Sequence, residues 1–241
     1  LLSFDPVLRS AEAERLVMKG EGRLYHRFRP APYYGGIATA DAVGCSFLCA
    51  YCWNFSRNEN PAGQGRFHEP RDVASLLLDI ARRRHFRQFR VTGSEPILGE
   101  ASLGHMAKVI RLIFEKRPDS VFILETNGLM IGYHPEFAGR LKFNNLAVRV
   151  CLKGVDPESF EKISGARADF FELPLAGLEA LGEAGVEAWP ALMQDLFTPE
   201  EINGLKSRLA NRGIRSELEL ESLEPYPFVM ENLRRRNLRL R

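Results

Sequence analysis

IATADAVGCSFLCAYC, residues 37–52, carries two readings in one stretch. Its first seven residues, 37–43, read as a β-strand. Three cysteines then follow within eight residues, Cys45, Cys49 and Cys52, spaced C-x3-C-x2-C, and the chain holds only one other, Cys151. A strand that opens into a thiol-rich loop sets two questions: what sheet the strand belongs to, and what needs three thiols in one place.

Outward from that strand, strands alternate with helices. Expected strands cover 89–93, 121–126, 146–153, 186–193 and 214–222, bounded by turn residues. Between them, Pro70 opens a helix through Arg84, and Leu103, Met106, Ile110 and Ile113 give helical spacing over 101–116. Pro157 and Glu158 begin a short helix, 173–184 and 199–210 carry two more, and a last one runs from about Phe228. Such alternation implies βαβ units with right-handed crossovers and a parallel sheet. The strands are short and rich in Val, Ile, Leu or Phe, as expected when both faces are covered. Upstream, residues 5–19 predict an amphipathic helix capped by Asp5, with Pro6 at its first position and Gly20 at its end. A loop rich in Arg, Tyr, Pro and Gly is expected from there through Gly36, and a polar Gly/Asn loop over 54–69.

Composition fits an ordinary globular protein. Of 241 residues 45% are apolar and 27% charged, with a net charge of +2. That balance does not point to nucleic acid or a membrane surface. Apolar runs such as 121–124 are far too short to span a bilayer, and no charged, then apolar, leader opens the chain. The first residue is Leu, so a trimmed N-terminus is expected. Three cysteines crowded in one loop cannot pair without leaving an odd thiol, which reads as metal or cluster ligation in a reducing compartment, the cytoplasm.

Three accounts of the loop compete. A structural zinc site wants four ligands, so Cys151 or a histidine would have to supply the fourth. The five histidines, His26, His68, His85, His105 and His134, are scattered without ligand spacing. A thioredoxin-like pair, Cys49 and Cys52, leaves Cys45 unexplained. An iron–sulfur cluster on three thiolates leaves one iron without a protein ligand, and an open position is what a catalytic centre keeps.

CSFLCAYC is similar to the C-x3-C-x-aromatic-C signature of radical S-adenosylmethionine (radical SAM) enzymes, with Tyr51 as the aromatic. TGSEP (92–96) resembles the Gly-Gly-Glu-Pro stretch of that superfamily, with Ser94 in place of the second Gly. ETNG (125–128) follows the third strand, and CLKG (151–154) resembles the Asp/Ser-Leu-Lys of the small activating-enzyme branch. The resemblance covers roughly residues 36 to 225. It implies an α/β fold, a partial (β/α)6 TIM-like barrel in one domain, with the site at the carboxyl ends of the strands. The expected division is an N-terminal helix and loop extension over 1–35, the barrel over 36–225, and a C-terminal helix over 226–241 packed on it. The resemblance also implies an oxygen-sensitive 4Fe-4S cluster on Cys45, Cys49 and Cys52, whose open iron takes S-adenosylmethionine. One-electron reduction would release a 5′-deoxyadenosyl radical that takes hydrogen from a substrate.

Each further residue has two readings. Tyr51 leans on the adenine, or is ordinary packing. Gly93 and Ser94 present carbonyls, and Glu95 a carboxylate, to the ammonium of S-adenosylmethionine, or Gly93 and Pro96 make a surface turn. Glu125 and Asn127, assisted by Thr126, meet ribose hydroxyls or a partner loop, or cap a strand end. Lys153 meets the carboxylate of S-adenosylmethionine or a substrate anion, or is a solvated strand end. Cys151 donates a hydrogen atom or carries sulfur, but a lone Cys in a strand is more often a small core hydrophobe, and that is the expectation here. The basic runs 81–90 and 233–241 read as solvated helix ends, with phosphates of RNA or a nucleotide as the alternative.

Three functions follow. The first is a radical SAM enzyme acting on a macromolecule (a protein or an RNA) or on a carrier-bound group, with a ferredoxin or flavodoxin as electron donor, a partner subunit as an option and no membrane partner. The second is a glycyl-radical activase, against which GGIATADAVG (35–44) stands where an Asp-Gly-Pro-Gly stretch is usual. The third is a non-catalytic Fe–S or zinc scaffold. Loop 54–67 is expected to cover the cluster or meet the substrate.

Overall fold

The computed structural model describes residues 3–241. The first helix, α1 (Pro6–Val17), starts as its residues dictate: Asp5 accepts from the N–H groups of Val7 and Leu8, and Pro6 takes the first turn. It then stops short of the expected end. Met18–Lys19 (β1) turns at Gly20 and pairs with Gly22–Ala31 (β2), a ten-residue strand where a loop was expected. Its composition hides it, because Arg27 and Arg29 alternate with Phe28 and Pro30. Pro30 lies beyond the stretch that has an outer neighbour, a context in which a sheet tolerates proline.

β2 lies antiparallel to β3 (Ile37–Ala42), and from there the sheet is parallel. In chain order the elements are α2 (Phe55–Glu59), β4 (Arg66–His68), α3 (Pro70–Arg84), β5 (Gln88–Thr92), α4 (Glu100–Lys116), β6 (Val121–Thr126) and α5 (Leu129–Tyr133). Then come β7 (Leu146–Leu152), α6 (Pro157–Ser164), α7 (Glu172–Glu183), β8 (Glu187–Met193), α8 (Pro199–Asn211), β9 (Glu219–Glu221) and α9 (Pro227–Arg235). Among the described residues nine strands form one sheet, ordered β1-β2-β3-β5-β6-β7-β8-β9, with β4 also on β2. Six of them, β3 and β5 to β9, run parallel in sequence order with helices between, the arrangement of a partial (β/α)6 TIM-like barrel. Loop 54–69 is less irregular than expected, holding α2 and β4. The last strand is shorter: only Glu219–Glu221 of 214–222 pairs, while Leu218 turns into the core.

The face turned to the helices is the more apolar of the two. Phe89, Val91, Phe122, Leu124, Val148, Val150 and Leu192 point to the helices and are buried there. The alternate positions carry Thr39, Asp41, Arg90, Thr92, Glu125, Arg149, Cys151, Glu219 and Glu221. Both faces of the strands are covered, as expected, with Ile37 and Ile123 buried on the inner one. Toward the carboxyl ends the inner face turns polar, and its buried charges, Asp41, Arg90 and Arg149, each pair with an opposite charge.

Candidate cofactor site

The register brings the inner-face side chains into rows. Thr39 stands beside Arg90, Asp41 beside Thr92, Glu125 beside Arg149, and Cys151 beside Ala191. Asp41, fully buried, accepts from Nε of Arg27 and of Arg29, both at 2.7 Å. Arg90 donates to Glu125 at 2.8 Å and to Thr39 at 3.0 Å. Arg149 forks onto Glu219 at 2.9 and 3.0 Å and reaches Glu221 at 2.8 Å. A planar guanidinium can hold two carboxylates in one plane, which an ammonium cannot.

The cysteine loop leaves the carboxyl end of β3 and is fastened from beneath. Leu48 and Ala50 donate N–H groups to the carbonyls of Ser164 and Ile163 at the end of α6, at 2.9 and 2.8 Å. Phe47 packs edge-on against Phe160, with ring centres 5.4 Å apart. Two amides serve the sulfurs: Asn58 Nδ2 lies 3.5 Å from Cys52 Sγ, and Asn127 Nδ2 lies 3.9 Å from Cys45 Sγ and 2.8 Å from Ser46 Oγ. All four thiols are free. Burial pushes the Cys45 thiol up to about 12 and those of Cys49 and Cys52 up to about 11.

Glu95 ties the loops together. Its carboxylate accepts from Ile97 N at 3.0 Å, Thr126 Oγ1 at 2.6 Å and Asn127 N at 2.7 Å, while its own N–H donates to the Gly44 carbonyl at 3.1 Å. It is 2% exposed, and burial raises its pKa against those three hydrogen bonds. Gly93 needs its residue type, since its φ is +85°. Its carbonyl already accepts from Asn54 Nδ2 at 2.6 Å and Asn58 Nδ2 at 3.4 Å. Ser94 keeps an ordinary negative φ, so the departure from glycine costs no backbone strain. Glu125, held by Arg90, Thr92 and Tyr34, sits within the inner-face network. Asn127 belongs to the cysteine loop's support, where its Oδ1 also accepts from Leu129 N at 3.0 Å.

On the opposite side of the mouth stand Tyr51, Lys153 and Cys151. Lys153 Nζ lies 5.4 Å from the centre of the Tyr51 ring, and Arg149 Nη1 lies 3.2 Å from Cys151 Sγ. Cys151 is thus an inner-face residue in a charged setting, not the apolar core residue that was expected. Burial pushes its thiol up, opposed by Arg149 and Lys153. Burial also penalises the Lys153 charge, yet Tyr51, Cys151, Cys49 and Glu221 outweigh it and hold the ammonium well above its ordinary range. The sequence reading missed Asn54, Asn58 and Arg149. Alternation would have found Arg149, because Arg149, Cys151 and Lys153 fall on one face at period two.

The donor set fits an iron–sulfur cluster: three free thiols on one loop, with Cys151 engaged by Arg149 instead. A second observation agrees. Among the described residues, the buried side-chain nitrogens and oxygens without a hydrogen-bond partner belong to Arg9, Arg23, His26, Asn58 and Ser94. All five touch this neighbourhood, Arg9 through Asn58, Arg23 through Glu95, and His26 through Trp53 next to Cys52. Orphan polar atoms are rare in folded proteins, and their confinement to one site marks a place built around a polar group.

Comparison with known proteins agrees. The GTP 3',8-cyclase of Microcystis aeruginosa is 26% identical over 147 residues, 59% of this chain and 42% of that protein. Native anSMEcpe with bound AdoMet superposes with a TM-score of 0.58 at 18% identity, over 77% of this chain and 53% of that one. Streptococcus suis SuiB bound to S-adenosylmethionine gives 0.59 at 16% identity, over 81% and 44%. The chain thus spans about half the length of these proteins or less, and at such identities the two structures speak for the fold alone. The family model described as the Radical SAM superfamily matches residues 41–202, from the end of β3 into α8. With that match laid over the parallel strands and the loop they carry, the chain belongs to the Radical SAM superfamily.

Proposed function

We propose that this chain binds a 4Fe-4S cluster through Cys45, Cys49 and Cys52 and S-adenosylmethionine beside it, and acts on a macromolecular or carrier-bound substrate. The observation that carries the reading is the loop itself: three free thiols at the carboxyl end of the first parallel strand, with a fourth cysteine occupied elsewhere. When bound, the cluster and S-adenosylmethionine supply a 5′-deoxyadenosyl radical that abstracts hydrogen from the substrate.

The chain's own residues divide the remaining work. Asn58 and Asn127 orient Cys52 and Cys45 by amide donation. Glu95 positions rather than binds, joining the loops after β3, β5 and β6, so that Ser94, with a buried and unpartnered Oγ, is the polar group left to face the ammonium of S-adenosylmethionine. Tyr51 offers a ring wall for the adenine. Lys153 holds its positive charge toward the mouth, where a carboxylate of the cosubstrate or an anionic substrate group would meet it. Cys151, beside Lys153 on the inner face, stands where a hydrogen atom could be returned to a substrate radical. Among proteins of like fold, SuiB binds a precursor peptide and anSMEcpe a peptide, which supports the macromolecular reading. A small ferredoxin or flavodoxin is the electron donor in this scheme, and unpaired cysteines kept ready for a cluster suit a reducing compartment such as the cytoplasm. Among the described residues no helix is long and apolar enough to cross a membrane.

The test is anaerobic. The chain is reconstituted with iron and sulfide, given S-adenosylmethionine and dithionite, and assayed for 5′-deoxyadenosine, with Cys49→Ala as control. Nucleoside from the wild type and none from the variant is expected. A wild type that holds no four-iron cluster overturns the proposal.

A further inference from the structure

Three arginines close on the cysteine loop from outside the stretch that the family model matches. Arg9 comes from α1, Arg23 from β2, and Arg236 follows α9, whereas the match runs over 41–202. Arg23 is fully buried. Its Nη2 donates to the Glu95 carbonyl at 2.6 Å, and its Nε and Nη1 have no partner. Arg9 Nη2 donates to the Asn58 carbonyl at 2.6 Å, and its buried Nε has no partner. Arg236 donates to the carbonyls of Leu48 at 2.5 Å, next to Cys49, and of Ile163 at 2.8 Å. It belongs to the run 233–241, expected to be a solvated helix end, but its guanidinium turns inward while Arg234 and Arg235 pair with Glu231 at the surface.

The hydrogen-bond partners of these three side chains are backbone carbonyls, and Arg9 also stands over the Phe4 ring, 5.4 Å from its centre. Among the described residues none forms an ion pair with a carboxylate, unlike Arg27, Arg29, Arg90 and Arg149 on the inner face. Glu95 lies near Arg23 but spends both oxygens on other donors, and Glu14 gives its Oε1 to Ser102. Arg23 is fully buried and Arg9 and Arg236 partly so, and burying a cation without a paired anion is costly unless a negative group belongs there. Burial lowers the pKa of all three, opposed near Arg9 by Glu12 and Glu59 and near Arg23 by Glu95 and Glu14, none of them in an ion pair with it.

We propose that Arg9, Arg23 and Arg236 form a buried cationic cradle behind the cysteine loop, which supplies the counter-charge of the cluster and sets its reduction potential. The proposal rests on the cofactor reading above. Three thiolates leave the oxidised cluster with a net negative charge, and one electron from a low-potential donor, dithionite in the test, adds a second. A fixed cation nearby favours the more negative form, so the cradle eases reduction. At an effective dielectric of about 20, one unit charge about 10 Å away is worth about a tenfold change in the reduced-to-oxidised ratio.

The experiment is a redox titration of the reconstituted full chain, followed by electron paramagnetic resonance, with the melting temperature of cluster-free and cluster-loaded protein measured alongside. Arg9→Gln, Arg23→Gln and Arg236→Gln are compared with Arg9→Lys, Arg236→Lys and a surface control, Arg82→Gln. Each Gln variant should lower the reduced-to-oxidised ratio at a fixed potential by about tenfold, a negative shift of about 59 mV for one electron. The Lys variants and the control should stay with the wild type. Without cluster the Gln variants should melt at or above the wild type, and gain less on loading. Variants that load iron normally yet keep the wild-type potential overturn the cradle and leave the cofactor reading intact. Lys variants that shift as far as Gln also overturn it, since the hydrogen-bonding fork would then matter and not the charge. If Arg23→Gln does not fold, Arg9 and Arg236 decide. A wild type without a cluster overturns both readings.

Discussion

A single amide shows how this site works at the residue scale. Asn58 Nδ2 serves both Cys52 Sγ and the Gly93 carbonyl, and its own carbonyl oxygen on the main chain is held by Arg9. It therefore couples a sulfur to the loop after β5. Asn58→Ala should lower retention of reconstituted iron against a chelator by about 10- to 100-fold, as loss of an orienting partner does at metal sites. Folding should be retained, since the residue lies in a short surface helix. At this scale the thiols were legible from spacing alone, because C-x3-C-x2-C is local. Asn58 and Arg9 were not, because their importance comes from contacts across 49 positions of chain. Glu95 was legible as a member of the site but not in its manner, since only the fold shows its carboxylate spent on loop N–H groups.

At the scale of elements, the parallel strands and their helices were readable because each carries its own period and its own caps. The helix from Pro70 to Arg84 and the strand at 121–126 lie where expected. β2 was not readable, since half its side chains are arginine, tyrosine or proline and its pairing is antiparallel to an otherwise parallel sheet. That missed strand has a pH-dependent joint. His105 on α4 bonds Tyr25 OH on β2 at 2.9 Å and the Glu21 carbonyl at 2.8 Å, and is 2% exposed. Burial lowers its pKa from 6.5 to about 4. The unfolded chain thus takes up this proton first as pH falls. The joint's contribution is complete above pH 6.5 and is lost as pH drops toward 4, by about 3 kcal/mol. Urea unfolding at pH 7 and pH 4.5 should show that loss, and His105→Gln should flatten the difference.

Across the whole molecule, residues that precede the sheet and residues that follow it meet at one loop. Phe4 pairs with Ala166 just past α6, Arg9 holds Asn58, and Arg236 reaches Leu48 across 188 positions. Composition and local period carry no trace of such closure, which is why the tail read as a solvated run. Removing 227–241 should expose the N–H groups of Leu48 and Ala50 to faster hydrogen exchange while the amides of β5 and β6 stay protected. The reach of Arg236 also has a meaning in time. Ribosomes add about 5–20 residues per second, so the cysteines emerge some 10–40 s before the arginine that straps them. Through that interval the thiols wait on an unfinished loop, open to oxidants and to stray metals. Loading at this loop would then follow the emergence of Arg236 and not that of the cysteines, with α9 drawn over the loop as its latch.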